Sequence, residues 1–143
     1  MIVLDANLLI YSYNSGSSHH KAARAWFEAT LSGTDVVGLP WQAVSAFLRV
    51  MTNPKLPAER FSLEQAAQIV DSWLAHPSVH LVTAGDRYWA LFRRMVVEGR
   101  AAGPRVSDAE IAALTIEHGG VLHTADRDFA RFPGLRWVNP VAG

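Results

Sequence analysis

Short unbroken apolar runs alternate along the chain with longer stretches in which apolar residues recur at helical spacing. Met1 to Leu4 is an apolar run that stops at Asp5, the pattern of a buried strand with an acid at its carboxyl end. Ala6 to Tyr13 is apolar again and predicts a helix, and Ser15-Gly16-Ser17-Ser18 is a loop signal. Between His19 and Leu31, the residues Ala22, Ala23, Trp26, Phe27, Thr30 and Leu31 share one helical face. Val36 to Leu39 predicts a short strand closed by Pro40. Trp41 to Met51 predicts a helix, which Thr52-Asn53-Pro54 stops, and a loop runs on through Pro57. Ser62 and Gln65 read as a capping box for a helix over Leu63 to Leu74. Val79 to Val82 predicts a strand, and Asp86 to Glu98 an amphipathic helix. Ser107 and Glu110 read as a second capping box, opening a helix at Asp108 that ends near His118, before Gly119-Gly120. Val121 to Thr124 predicts a strand just ahead of Asp126, and Leu135 to Val138 a last one.

Strands alternating with helices argue an α/β domain: a central, mainly parallel β-sheet flanked by α-helices. Its 143 residues fit one compact domain, and half of them are apolar, enough for a real core. Met1-Ile2-Val3-Leu4 has no basic leader, and no apolar stretch approaches the roughly 20 residues that span a bilayer. Cysteine is absent, which excludes disulfides and thiolate metal sites. The expectation is a soluble cytoplasmic protein with no membrane partner.

Formal net charge is zero, which argues against a nucleic-acid partner until the distribution is considered. If Asp5, Asp108, Asp126 and Asp128 serve one site, nine acids remain against 13 basic residues, 11 of them arginines. Arginine suits bidentate phosphate contacts, although scattered solvated charge explains the same count.

Ligands of parallel sheets gather at the carboxyl ends of strands. Asp5 follows the first predicted strand, Asp126 follows the fourth, and Asp108 opens the helix leading into the fourth. Carboxylates brought together repel one another unless a cation sits between them, and a hard divalent ion such as Mg2+ or Mn2+ prefers their oxygens. Each acid also has a structural reading. Asp5 suits a helix N-cap, Asp108 a first helical turn, and Asp126 and Asp128 a turn. Glu110 lies two positions from Asp108 and faces away from it round the helix. The histidines show no zinc spacing, and no phosphate-binding loop, dinucleotide fingerprint or nucleophile elbow occurs. The tryptophans at 26, 41, 73 and 89 lie on apolar helical faces and read as core or subunit interface rather than base-stacking platforms.

These residues together resemble the PIN-domain family, and most closely its VapC-type ribonuclease toxins of bacterial toxin–antitoxin pairs. Val3-Leu4-Asp5-Ala6-Asn7 is similar to the family's first motif. Ser107-Asp108-Ala109 followed by Ile111-Ala112-Ala113-Leu114 is similar to its acidic helix. Thr124-Ala125-Asp126-Arg127-Asp128-Phe129 resembles its closing motif, and Phe132-Pro133-Gly134-Leu135 the segment that follows. The likeness spans essentially the whole chain. One departure stands out: the family places a glutamate in the helix after the second strand, where this chain has Ala46, and no acid occurs between Asp35 and Glu59. A sub-branch of these toxins shares the stretch Phe47-Leu48-Arg49-x-x-Thr52-Asn53-Pro54 without that glutamate. The loss therefore does not imply inactivity, but it leaves open whether one or two ions are held.

The resemblance implies a PIN fold over residues 1–143 and endonucleolytic RNA cleavage dependent on Mg2+ or Mn2+. It implies Asp5, Asp108 and Asp126 as catalytic metal ligands, with Asp128 secondary. Thr124 and Asn7 would support the ligands, and Arg127 and Arg105 would contact RNA phosphates. Apart from the resemblance, Ser45 or Gln42 is a candidate to orient a metal-bound water. The ion would polarise the scissile phosphate and activate water. A homodimer and a cognate VapB-like antitoxin are the implied partners, with the helices over His19–Leu31 and Trp41–Met51 as docking surfaces. Two other readings stay open. One is a catalytically weak or inactive PIN module that binds RNA or a protein partner. The other is a metal-dependent phosphatase, although position 7, where an aspartyl-nucleophile motif would carry its second acid, is Asn7.

Overall fold

The computed structural model describes residues 1–56 and 60–142. The chain runs β1 (Ile2–Leu4), α1 (Ala6–Tyr13), α2 (His20–Ser32), β2 (Val37–Pro40), α3 (Trp41–Met51), α4 (Leu63–Ala75), β3 (Val79–Val82), α5 (Tyr88–Glu98), α6 (Arg105–Glu117), β4 (Val121–His123), a 3-10 turn over Arg127–Arg131, and β5 (Trp137–Val138). The strands form one sheet in the order β3-β2-β1-β4-β5, and every pairing is parallel. This is the α/β architecture expected from the alternation of elements. The loop expected through Pro57 ends outside the described residues.

Strand β1 is central. Successive side chains on a strand point to opposite faces, so Leu4 enters the core beneath α1 to α4 while Val3 enters the core beneath α5 and α6. Strand β2 is buried at all four positions, as a strand covered on both faces must be. Gly38 makes that possible: a Cβ there would lie 2.5 Å from Val82 Cγ2 and 2.9 Å from Met1 Sδ.

The chain proceeds from β1 outward through β2 to β3, then returns to the other side of β1 as β4. The carboxyl ends of β1 and β4 therefore flank the point where the winding reverses, the standard location of a ligand crevice in open parallel sheets. Asp5 leaves β1 there, and Thr124 leaves β4.

Helix ends explain both agreement and correction. The capping box at the start of α4 forms in full, Ser62 Oγ accepting the Gln65 N–H and Gln65 Oε1 accepting the Ser62 N–H. The box expected from Ser107 and Glu110 does not. Gly103, at φ +57, and Pro104 turn the chain so that α6 begins at Arg105, three residues before the expected start. Ser107 thus lies inside the helix, and Glu110 instead accepts a hydrogen bond from Gln42 Nε2 at 2.8 Å. At its far end, α6 closes with Gly119 at φ +67. The Gly120 N–H bonds the Thr115 carbonyl at 2.9 Å and the Gly119 N–H bonds that of Ile116 at 3.0 Å, a Schellman closure.

Candidate functional site

Asp5 is the innermost acid. Its backbone is extended as the cap of α1, and its Oδ1 accepts the Ala6 N–H at 2.8 Å. Its Oδ2 accepts the Thr124 hydroxyl at 2.7 Å. Capping and site membership coincide in one residue. Thr124 Oγ1 also accepts from Asn7 Nδ2 at 3.2 Å and from the Asp126 N–H at 3.0 Å. Asn7 Oδ1 in turn accepts the Ala125 N–H at 3.3 Å. One buried hydroxyl thus ties the exit of β1 to the exit of β4.

The remaining acids converge on Arg105. Its Nη1 donates to Asp108 Oδ2 and to Asp126 Oδ2, each at 3.1 Å, and its Nη2 donates to Asp128 Oδ2. Asp108 meets Arg105 because α6 starts early enough to put them one turn apart. Asp126 caps the 3-10 turn, its Oδ1 accepting the Asp128 N–H at 2.9 Å, which aims Asp128 the same way. Asp5 is 6% exposed, and side-chain exposure then rises through Asp108 at 24% and Asp126 at 34% to Asp128 at 52%.

Burial pushes the Asp5 carboxyl from its ordinary value of 3.8 up to about 6. The hydrogen bonds from Thr124 and Ala6 oppose that rise, and the charges of Asp108 and Asp126 add to it. Burial also raises Asp108, against the hydrogen bond and charge of Arg105. Burial makes the ionised Asp108 carboxylate gain from a nearby positive charge. Arg105 supplies it within the chain. Because the acids turn toward that guanidinium, no three acidic or histidine side chains among the described residues surround a common point ready for an ion. As a donor set, however, carboxylate oxygens from α6 and the turn after β4 already meet one cation, with Asp5 close enough to feel the charges of Asp108 and Asp126, and such oxygens suit a hard divalent ion by charge and ligand type.

A cavity of about 480 Å³ opens beside Asp5 and Asp108. One wall is the outer face of α3: Trp41, Gln42, Ser45, Ala46 and Arg49. The other is formed by Pro104, Ser107 and Ile111 with the two acids. Ala46, where the resemblance anticipates glutamate, lines this cavity and leaves it without an acid on the α3 side. Gln42 and Ser45 line it too, though Gln42 is committed to Glu110.

One expectation needs correction. Arg105 does not stand free for an RNA phosphate, since three carboxylates already surround it; Arg127, by contrast, is exposed. The tryptophans, expected in the core or at a subunit interface, differ in burial. Trp73 is buried and Trp26 half-buried, but Trp41 and Trp89 are 47% and 66% exposed. The role of Arg105 was readable only as an i, i+3 pair with Asp108, and the misplaced helix start hid it. The α3 wall had a signal in the spacing of 41, 42, 45, 46 and 49, which puts those residues on the face opposite the buried Ala43, Val44, Phe47 and Met51.

Comparison with known proteins gives the same picture. The PIN domain model matches residues 2–135. Ribonuclease VapC37 of Mycobacterium tuberculosis is 39% identical over 142 residues, covering 99% of each chain. Ribonuclease VapC33 of the same species is 35% identical over 141 residues, again covering 99% of each. Among solved structures, VapBC2 from Rickettsia felis bound to a promoter DNA fragment matches with a TM-score of 0.67 at 20% identity, over 97% of this chain and 98% of that one. An aspartate at the exit of the central strand, tied to a threonine at the exit of its neighbour and facing two further acids, thus sits on a matched fold and a matched sequence: the chain belongs to the PIN-domain family, in its VapC-type branch.

Proposed function

We propose that the protein is the toxin of a VapBC-type toxin–antitoxin pair, a metal-dependent endoribonuclease built as a single PIN domain over residues 1–143. The observation that carries this reading is the convergence of Asp5, Asp108 and Asp126 at the winding reversal of the sheet, beside an open cavity. The full-length likeness to proteins named VapC ribonucleases supports the substrate class.

Asp5, Asp108 and Asp126 would hold Mg2+ or Mn2+, with Asp128 at the rim. When bound, the cation neutralises charge at the scissile phosphate and lowers the pKa of water. The chain's own residues do the rest. Thr124 and Asn7 fix the Asp5 carboxylate and the Asp126 backbone, so that ligands from opposite ends of the sequence keep one geometry. Arg105 holds the outer acids together, in the position where a bound metal would neutralise them instead. Arg127, exposed beside Asp126, contacts RNA phosphate, which positions the chain without reading its sequence. A VapB-like antitoxin and a homodimer complete the assembly; the VapBC2 complex among its structural neighbours supports the antitoxin. No helix among the described residues is long and apolar enough to cross a membrane, and a cytoplasmic site of action is part of this proposal.

The test is induced expression of wild type beside Asp108→Asn, with total RNA sequenced for new 5′ ends. New ends are expected with wild type only. Identical RNA in the two strains would refute ribonuclease activity and favour a binding module.

A further inference from the structure

Trp41 is the first residue of α3 and is nearly half exposed, although it is among the largest apolar side chains in the protein. It lines two hollows at once. One is the cavity that holds Asp5 and Asp108. The other, of about 150 Å³, is lined by Trp41 and Gln42 together with Val82, Thr83, Ala84, Tyr88 and Leu114. Trp41 and Gln42, the two residues common to both linings, therefore stand between the acidic cavity and a small, mostly apolar recess at the ends of β3 and α5. Arg49 lies eight residues further along α3, on the same outer face, about 12 Å away by helical rise. It is exposed, and it has no ion-pair partner among the described residues. The face between them carries Gln42, Ser45 and Ala46, none of them charged.

A flat apolar surface, a neutral floor and a cation in line along one wall form a track for a ligand with alternating planar and anionic groups. Single-stranded nucleic acid has that chemistry: its bases stack on aromatic side chains and its phosphates pair with cations. The absence of an acid at position 46 keeps the floor free of a charge that would repel such a backbone.

We infer that the α3 wall is the substrate-binding track of this protein: Trp41 stacks a base of single-stranded RNA next to the acidic cluster, and Arg49 pairs with a phosphate of the same strand. This rests on the ribonuclease reading above and names the residues that hold the strand in place. It also gives α3 a role other than antitoxin docking.

The test is fluorescence anisotropy of a labelled single-stranded RNA of mixed sequence, about ten nucleotides long to match the span of such sites, titrated with full-length protein in EDTA so that nothing is cleaved. Trp41→Ala is expected to weaken binding by roughly 5- to 100-fold, the range of a lost base–aromatic stack, whereas Trp41→Phe retains most of the affinity. Trp41→Ala leaves the dependence of affinity on salt unchanged, and Arg49→Gln lowers its slope by about one, the signature of one lost phosphate contact. Trp89→Ala removes an exposed tryptophan outside the track and serves as the control, expected to bind as wild type does. Thermal unfolding of each variant verifies that it is folded. If wild type binds RNA and Trp41→Ala binds it equally well, the track is refuted while the ribonuclease reading stands. If Trp41→Ala instead loses only affinity for a protein antitoxin, α3 is a protein-docking face and the inference is likewise overturned. Wild type that neither binds nor cleaves RNA would overturn both.

Discussion

Replacing Asp5 by asparagine is expected to reverse its effect on stability between acid and alkaline pH. The carboxyl titrates near 3.8 when solvated and at about 6 in the fold, with burial as the largest cause. A folded state that raises an acid's pKa binds its proton more tightly than the unfolded chain does. That contribution is fully present below pH 3.8 and is lost as pH rises through 6. At 1.36 kcal/mol per pH unit, the ionised carboxylate costs the metal-free fold about 3 kcal/mol above neutrality. Asparagine has no such charge, but it fits the site less well. Thr124 already accepts from Asn7 and Asp126, so its hydroxyl can only donate toward position 5, and Ala6 also presents an N–H there. An amide has a single acceptor oxygen, so one of these two donors loses its partner, at about 1–2 kcal/mol. In EDTA, the variant should therefore be about 1–2 kcal/mol more stable than wild type at pH 8. At pH 4 it should be less stable, a swing of about 2–3 kcal/mol. Urea unfolding of both proteins across that range measures it. A difference that does not vary with pH would refute the argument, because it would mean that Asp5 is ionised at no cost to the fold.

Two further outcomes follow from the site. Thr124→Val keeps the shape of the side chain but removes a donor to Asp5 and an acceptor for two N–H groups. It should lower stability by about 2–4 kcal/mol at neutral pH, measured by urea unfolding, since buried groups are left without partners. Arg105→Ala removes the cation that the outer acids now hold, so Mn2+ should bind the variant roughly tenfold more tightly, as expected for the loss of a few partly exposed competing ion pairs. Isothermal titration reads this directly, and weaker Mn2+ binding would show that Arg105 helps to build the metal site rather than competing for it.

Periodicity located most of the fold. The bounds of α1, α3 and β3 match their expected ranges to the residue, because each is closed by a local signal such as Pro40 or the Thr52-Asn53-Pro54 stop. Helix α6 shows where local signals conflict. Ser107 and Glu110 carry a capping pattern, yet Gly103-Pro104 starts the helix earlier, and Gln42, 68 residues away, takes the glutamate. The acids at the strand ends were legible because parallel sheets present ligands there. The ring of carboxylates around Arg105 was not, since it depends on the distance between α6 and the turn after β4, which only tertiary packing sets. Whether Trp41 lies in the core or at the surface was not legible for a related reason. Its spacing says only that it shares a helix with core residues, and which side of α3 faces the sheet is decided by Ala43, Val44, Phe47 and Met51 together.

The central position of β1 also governs how the protein is made. Chains emerge from the ribosome N-terminus first, so Asp5 is among the first residues available to fold. Yet Asp5 lacks its threonine partner and its neighbouring acids until β4 and the turn after it have been synthesised and have slotted in beside β1. A nascent or prematurely terminated chain that stops before Val121 contains at most Asp5 and Asp108 of the site's acids, without β4 and Thr124 to hold them in place. For a protein whose activity is directed at RNA, translation must pass Asp126 before all three acids of the proposed site exist in one chain.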